Sequence, residues 1–189
     1  TKKQVNIIKL YRRLNNMETI EEKAKKFKFL NELAVKGENV AFGSNYLCDF
    51  PFYTLMQKRV TDYAVYNRSI EGLTVKEAIN VVEDCLKNLN PESILVSFGE
   101  NEVLNDEFYS DYRALISKIQ RFHKNSKLCI LQPHGSDKTC EANLKKLADE
   151  MKVKFIPITS KTETDRAVFG EISSFFRHGR ISFLDAFAV

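Results

Sequence analysis

Apolar residues along this chain follow two spacings that alternate with each other, and together they predict alternating helices and strands. Helical spacing predicts helices at residues 3–15, 19–36, 51–59, 74–89, 106–123 and 138–151. Short continuous runs rich in β-branched and aromatic residues predict strands at 39–43, 62–67, 93–98, 127–132 and 153–158. These runs do not alternate between apolar and polar residues, which is typical of strands covered on both faces.

The order of these elements predicts the fold. From residue 39 onward five predicted strands alternate with four predicted helices, which favours a five-stranded parallel sheet with right-handed crossovers and helices on both sides. We therefore predict an α/β protein with a three-layer α/β/α, flavodoxin-like sandwich. Two predicted helices precede the first strand, and Gly37 ends the second of them. The expected division is an N-terminal helical extension, residues 1–36, followed by an α/β domain, residues 37–189.

Composition is that of a globular protein with a substantial core. The 189 residues are 43% hydrophobic and 29% charged. No apolar run approaches the roughly 18–20 residues of a membrane span, and the N-terminus lacks the apolar segment of a signal peptide. We therefore predict no membrane span and a cytoplasmic location, although a sequence that begins with Thr1 rather than Met leaves export open.

The charges and cysteines narrow the classes of function further. The net charge is +4, but lysines alternate with acids, as in "EEKAKKFKF", which is typical of a solvated helix face. With no helix-turn-helix, zinc-finger or RNP-like pattern, we predict no nucleic-acid binding. The four cysteines have no CxxC spacing and no paired histidine, so we expect no metal site. We also predict no cofactor. Cys85 and Cys129 lie in apolar patterns, as reduced core cysteines do in a reducing compartment.

Candidate functional groups follow the predicted strands, because ligands of such sheets bind at the carboxyl ends of the strands. Three segments there, in this order, resemble the conserved blocks of the SGNH/GDSL hydrolases, a family of esterases, lipases and acylhydrolases on a flavodoxin-like sheet. They are "VAFGSNYLCDFPFYTL", "YNRSIEGLTVKEAI" and "ESILVSFGENEVLND". The resemblance covers roughly residues 38–158 and implies a small-molecule ester, sugar or acyl group as the ligand.

The resemblance also implies how such a site works. In the family, a serine at the end of the first strand attacks the acyl carbonyl. The backbone N–H of that serine, a glycine N–H of the second block and an asparagine side chain of the third block form the oxyanion hole. A histidine from an Asp-x-x-His motif near the C-terminus activates the serine, and the aspartate orients the histidine.

An ungapped comparison of the first block places Asn45 where the family has its nucleophile. Gly43 then takes the glycine position and Ser44 the aspartate position. A carboxamide cannot form an acyl intermediate, so the nucleophile is missing on this alignment.

The remaining blocks match in part. In the second block Asn67 and Gly72 match, while Ser69 replaces a glycine. In the third block Asn101 matches, and Glu102 replaces the usual aspartate.

The C-terminal segment does not match at all. Residues 159–189 contain no Asp-x-x-His motif, because Asp165 is followed at that spacing by Val168 and Asp185 by Ala188. The resemblance therefore implies a degenerate catalytic set and leaves open whether the protein is an enzyme.

Three hypotheses of function follow. The first is a non-catalytic protein whose crevice binds an acyl group, a sugar or a small anion. Its predicted crevice residues are Ser44, Asn45, Asn67, Gly72 and Asn101. The second is a weak esterase in which Ser44 is the nucleophile and His178 the base, and the third is a scaffold that acts through the N-terminal helices. A simpler interpretation also stays open, in which Ser44 and Asn45 only cap the turn that follows them.

Overall fold

The computed structural model describes residues 18–59, 61, 63–158 and 164–176. Within these ranges, five strands and seven helices alternate. The strands are β1 (Asn39–Gly43), β2 (Val65–Asn67), β3 (Ser93–Ser97), β4 (Lys127–Leu131) and β5 (Lys154–Ile156). The helices are α1 (Ile20–Leu33), α2 (Asn45–Asp49), α3 (Phe52–Arg59), α4 (Val75–Leu86), α5 (Asp106–Phe122), α6 (Lys138–Met151) and α7 (Asp165–Phe176).

All five strands are parallel and form one sheet in the order β2-β1-β3-β4-β5. The predicted three-layer α/β fold is therefore confirmed. The chain leaves β1 towards one side of the sheet to form β2 and then crosses to the other side of β1 to form β3. Such a reversal opens a crevice at the carboxyl ends of the two central strands, here β1 and β3.

Each face of the sheet has its own apolar core. On one face, Phe42, Val96 and Ile130 are fully buried beneath α4, α5 and α6. On the other face, Leu95 and Phe169 are fully buried together with side chains of α2, α3 and α7. Because both faces are covered, the strands read as continuous apolar runs rather than as alternating ones.

Hydrogen bonds to backbone N–H groups explain where the helices begin. Capping boxes open α1 and α4, in which Thr19 pairs with Glu22 and Thr74 with Glu77. The side chain of Asp137 accepts a hydrogen bond from the N–H of Cys140 and so caps α6. These residues lie at or next to the predicted helix starts, since capping is encoded locally.

The structure differs from the sequence prediction mainly at the edges of the sheet. Strand β2 begins at Val65 rather than at residue 62, and β5 ends at Ile156 rather than at 158, because each edge strand pairs on one side only. Helix α7 was not predicted, although its buried residues recur at helical spacing. The predicted helix at 3–15 lies outside the described residues.

Helix α1 packs against the α/β domain. The side chain of Asn31 is fully buried and donates to the carbonyl oxygen of Cys85 on α4 over 2.9 Å. Its Oδ1 accepts a hydrogen bond from Nε of Arg68 over 2.8 Å. The guanidinium group of Arg68 lies over the rings of Phe27 and Tyr66, which join α1 to β2. The division at residues 36 and 37 stays a prediction.

Two further features concern the cysteines and the helices. All four cysteines are unpaired, and Cys85, Cys129 and Cys140 are buried. Across the part of the chain that the structure describes, no helix combines the length and the apolar character that crossing a membrane requires.

Candidate binding crevice

The break after β1 is set by a close approach of two strands. A Cβ atom added to Gly43 would lie 2.3 Å from the carbonyl oxygen of Ser97 on β3. The same oxygen accepts a hydrogen bond from the N–H of Ser44 over 3.2 Å. Glycine is therefore needed at this position for space, and the chain then turns into α2.

Ser44 is buried at the point where β1 ends and α2 begins. The residue is fully buried, and its Oγ accepts a hydrogen bond from Nδ2 of Asn101. The carbonyl oxygen of Ser44 accepts a hydrogen bond from the N–H of Cys48 within α2, but its side chain makes no capping hydrogen bond. The simple capping interpretation is therefore wrong for the side chain of Ser44.

The carboxamide of Asn45 is bound on both of its sides. Its Oδ1 accepts a hydrogen bond from the N–H of Gly72 over 2.7 Å and lies 3.4 Å from Nδ2 of Asn101. Its Nδ2 donates to Oδ1 of Asn101 over 2.9 Å. The oxygen of Asn45 thus lies between Gly72 and Asn101, the matching residues of the second and third blocks.

Asn67 hydrogen-bonds to the backbone instead of facing these groups. Its Nδ2 donates to the carbonyl oxygen of Leu47 over 2.6 Å, and its Oδ1 accepts from the N–H of Ser69 over 3.0 Å. Asn67 therefore fixes α2 against the turn that follows β2, and that turn carries Gly72. The structure brings Ser44, Asn45, Gly72 and Asn101 into one network.

A cavity of about 350 Å³ opens beside this network. Its lining residues are Asn45, Tyr46, Asp49, Phe50, Glu100, His134 and Asp165. The ring of Tyr46 stacks on the ring of His134, with centroids 4.9 Å apart and planes 19° from parallel. Its hydroxyl group lies 3.3 Å from Oδ1 of Asp165 at the start of α7. We call this cavity the crevice.

Most of the crevice residues were missed by the sequence analysis. Only Asn45 belongs to both the predicted set and the observed lining. A signal existed for Asp165, which begins a helix on the carboxyl side of the fifth strand. Tyr46 and Glu100 directly follow and precede the predicted residues Asn45 and Asn101 in the sequence.

Three carboxyl groups, of which only that of Glu100 is partly buried, determine the electrostatics of the crevice. Burial raises the pKa of Glu100, whose Oε1 has no hydrogen-bond partner among the described residues. Its Oε2 accepts from the N–H of Tyr46 over 3.4 Å. Burial, together with the neighbouring Asp165, also raises the pKa of the Tyr46 hydroxyl. With Asp49, these acidic groups give the crevice an excess of negative charge.

Glu102 forms a structural hydrogen bond to the start of a helix. Its Oε1 accepts a hydrogen bond from the N–H of Val75 at the start of α4, and burial raises its pKa. The glutamate that replaces the family's aspartate therefore connects the third block to the helix that follows Gly72.

The described part of the chain holds no base next to Ser44 or Asn45. Of the described histidines, His134 lines the crevice, but neither it nor His123 hydrogen-bonds to either residue. Val168 of α7 occupies the position that the histidine of an Asp-x-x-His motif would take after Asp165, and its side chain is buried in the core. His178, the predicted base for Ser44, lies outside the described residues. Within the described ranges, no three histidine, cysteine, aspartate or glutamate side chains are grouped so that they could hold a metal ion.

Comparison with known proteins shows which solved structures share this fold. No protein-family model and no curated protein matches this sequence. Solved structures do match. A protein from Streptococcus pneumoniae, described as a candidate platelet activating factor, matches with a TM-score of 0.70 and 16% identity over 94% of this chain and 100% of its own.

Two further matches are to ester hydrolases. A candidate GDSL-like lipase from Bacteroides uniformis has a TM-score of 0.55 and 11% identity, covering 73% of this chain and 96% of its own. A catalytic mutant of an acetylxylan esterase from Geobacillus stearothermophilus has a TM-score of 0.53 and 16% identity. The match covers 69% of this chain and 80% of the esterase chain. The chain therefore has the SGNH/GDSL hydrolase fold. At these identities the likeness concerns the fold and not the activity.

Proposed function

We propose that this protein is a non-catalytic, ligand-binding protein on the SGNH/GDSL hydrolase fold. The carrying observation is the carboxamide of Asn45, whose Oδ1 accepts the N–H of Gly72 and lies 3.4 Å from Nδ2 of Asn101. Ester hydrolysis in the family needs a hydroxyl nucleophile and oxyanion donors that are free for the substrate. Asn45 supplies no nucleophile and engages the donors itself.

The lining of the crevice favours a hydroxyl-rich ligand such as a sugar. Hydroxyl groups can donate to the carboxylates of Asp49, Glu100 and Asp165, while a small anion would be repelled by them. The rings of Tyr46 and Phe50 offer an apolar surface to the C–H face of a sugar ring. The fold likeness to an acetylxylan esterase supports the same ligand class.

Binding can be tested with xylo-oligosaccharides, with and without acetyl groups, by calorimetric titration. We expect the wild-type protein to bind without turnover. We expect Tyr46→Ala to weaken binding by about tenfold, because the aromatic platform is lost. The matched control is Tyr53→Ala, which removes an exposed tyrosine of α3 that does not line the crevice. Equal affinity in both variants would contradict binding at the crevice.

Catalysis can be tested with short-chain acyl esters and a serine-reactive phosphonate probe. We expect no hydrolysis and no label on Ser44, because its hydroxyl group is buried and hydrogen-bonded to Asn101. A label on Ser44 that disappears in His178→Ala would instead establish the weak esterase hypothesis.

A second function, association with another protein chain, is supported by the surface of α1 and the loop that follows it. Phe29, Leu33 and Val35 are 64%, 75% and 65% exposed. Neighbouring exposed apolar side chains of this size are typical of contact surfaces. This observation supports the scaffold hypothesis and is compatible with a ligand in the crevice.

A further inference from the structure

A second cleft lies at the edge of the sheet opposite the crevice. The crevice opens at the carboxyl ends of the strands, whereas this cleft opens where β4 and β5 begin. Its volume is about 550 Å³, which exceeds that of the crevice. Four lysines line it, namely Lys124, Lys127, Lys152 and Lys154, and none of its described lining residues is acidic. We call it the lysine cleft.

The fold brings these lysines together from separate elements. Lys127 and Lys154 are the first residues of two neighbouring parallel strands. Lys124 follows the end of α5, and Lys152 caps the end of α6 with a left-handed backbone, φ 56°. Each lysine is therefore attached to the end of a regular element, which fixes where its side chain starts.

Three of these lysines have no carboxylate partner among the described residues. The described ion pairs include lysines and an arginine elsewhere on the molecule, but not Lys124, Lys152 or Lys154. The ammonium group of Lys154 lies 5.6 Å from the centre of the Phe175 ring, a contact that orients it without neutralising it.

The helix dipole explains the positions of only some of the lysines in the lysine cleft. A lysine after the end of a helix is stabilised by the helix dipole, which explains Lys124 and Lys152. Lys154 begins a strand, where no such dipole exists. The mutual repulsion of ammonium groups around one cavity is relieved when an anion binds between them.

We propose that the lysine cleft binds a small, multiply charged phosphate group. Each ammonium group offers three N–H donors to phosphate oxygens, and the cavity is large enough for more than one phosphate. The site is separate from the crevice and independent of the function proposed for it.

The test measures the binding of inorganic tripolyphosphate by calorimetric titration. The variant Lys124→Glu/Lys154→Glu reverses two charges of the cleft. The matched control, Lys25→Glu/Lys145→Glu, makes the same change in net charge at two exposed lysines of α1 and α6 outside the cleft. We expect the wild-type protein and the control to bind alike and the cleft variant to bind at least about tenfold more weakly.

The source of the phosphate is distinguished with vesicles of phosphatidylglycerol. Vesicle binding that tripolyphosphate displaces and that the cleft variant loses would indicate a lipid headgroup, whereas tripolyphosphate binding alone would indicate a soluble phosphate. Lys124→Gln/Lys154→Gln repeats the comparison if the charge reversals unfold the protein. Failure of both probes to bind, or equal loss in the cleft variant and the control, would overturn the proposal.

Discussion

At the scale of single residues, the side chain of Asn45 controls hydrogen-bonding groups beside the crevice. Its amide oxygen accepts the N–H of Gly72, and its amide nitrogen donates to Asn101, so both of its polar groups are used inside the protein. A serine at this position would be too short to make both contacts and would leave the N–H of Gly72 free. The identity of residue 45 therefore decides whether these donors are available to a ligand.

We predict that Asn45→Ser will not restore ester hydrolysis. The variant gains a hydroxyl group, but no described histidine hydrogen-bonds at this position to take up its proton. Hydrolysis of p-nitrophenyl acetate should stay at the level of Ser44→Ala, which serves as the reference without either hydroxyl. Turnover clearly above that reference would mean that a base reaches the site, with His178 as the first candidate.

Glu100 should make the stability of the fold depend on pH. Burial raises its pKa, so the folded protein holds its proton more tightly than the unfolded chain does. Its charged form therefore destabilises the fold above the raised pKa, and this cost disappears below the unfolded pKa. We predict that Glu100→Gln raises the midpoint of thermal unfolding at pH 7 and that the gain shrinks towards pH 4.

The matched control for this experiment is Glu107→Gln, an exposed glutamate in the first turn of α5. Removing its charge from a helix N-terminus should not stabilise the protein at pH 7. A gain for Glu100→Gln that is equal at pH 4 and pH 7 would contradict the assignment.

At the scale of elements, the crevice depends on how closely β1 and β3 approach. Gly43 ends β1, and its Cα faces the carbonyl oxygen of Ser97 on β3 with no room for a side chain. The next N–H along the chain, that of Ser44, donates to the same oxygen. The same carbonyl oxygen of Ser97 therefore limits the side chain at the end of β1 and accepts the hydrogen bond at the start of α2.

We predict that Gly43→Ala lowers the free energy of unfolding by about 2–3 kcal/mol, because the added methyl group must displace backbone. Gly135→Ala is the matched control, since that glycine has φ 76° and open space around it. Its expected cost is about 1–2 kcal/mol from backbone strain alone. Urea unfolding measures both, and an equal or smaller cost at Gly43 would contradict the argument.

At the scale of the whole molecule, the sheet separates two candidate sites of opposite charge. The crevice has an acidic lining at the carboxyl ends of the strands, and the lysine cleft lies at their amino ends. The exposed apolar side chains of α1 belong to neither site. The net charge of +4 describes none of these surfaces, because it averages over them.

We predict that the exposed face of α1 mediates association, with a second copy of the chain as the simplest partner. Phe29 and Leu33 lie one helical turn apart and are both exposed. The variant Phe29→Asp/Leu33→Asp should abolish concentration-dependent association in sedimentation equilibrium while thermal unfolding stays cooperative. A wild-type protein that remains monomeric at every concentration would count against a second copy as the partner.

The sequence by itself determined the order of the elements and, from that order, the fold. Capping residues such as Thr74 and Asp137 and the apolar runs of β1, β3 and β4 act through neighbours in the sequence, so the pattern reveals them. The ends of β2 and β5 were less predictable, because partners distant in the sequence decide how far an edge strand pairs.

Only the tertiary structure decided how the candidate groups meet. The contact of Asn45 with Asn101 spans 56 residues, and that of Tyr46 with Asp165 spans 119. The lysine cleft likewise joins residues from α5, β4, β5 and the turn after α6. Sequence spacing carries no information on such distances or on the direction of an amide group, because both depend on how the crossovers pack against the sheet.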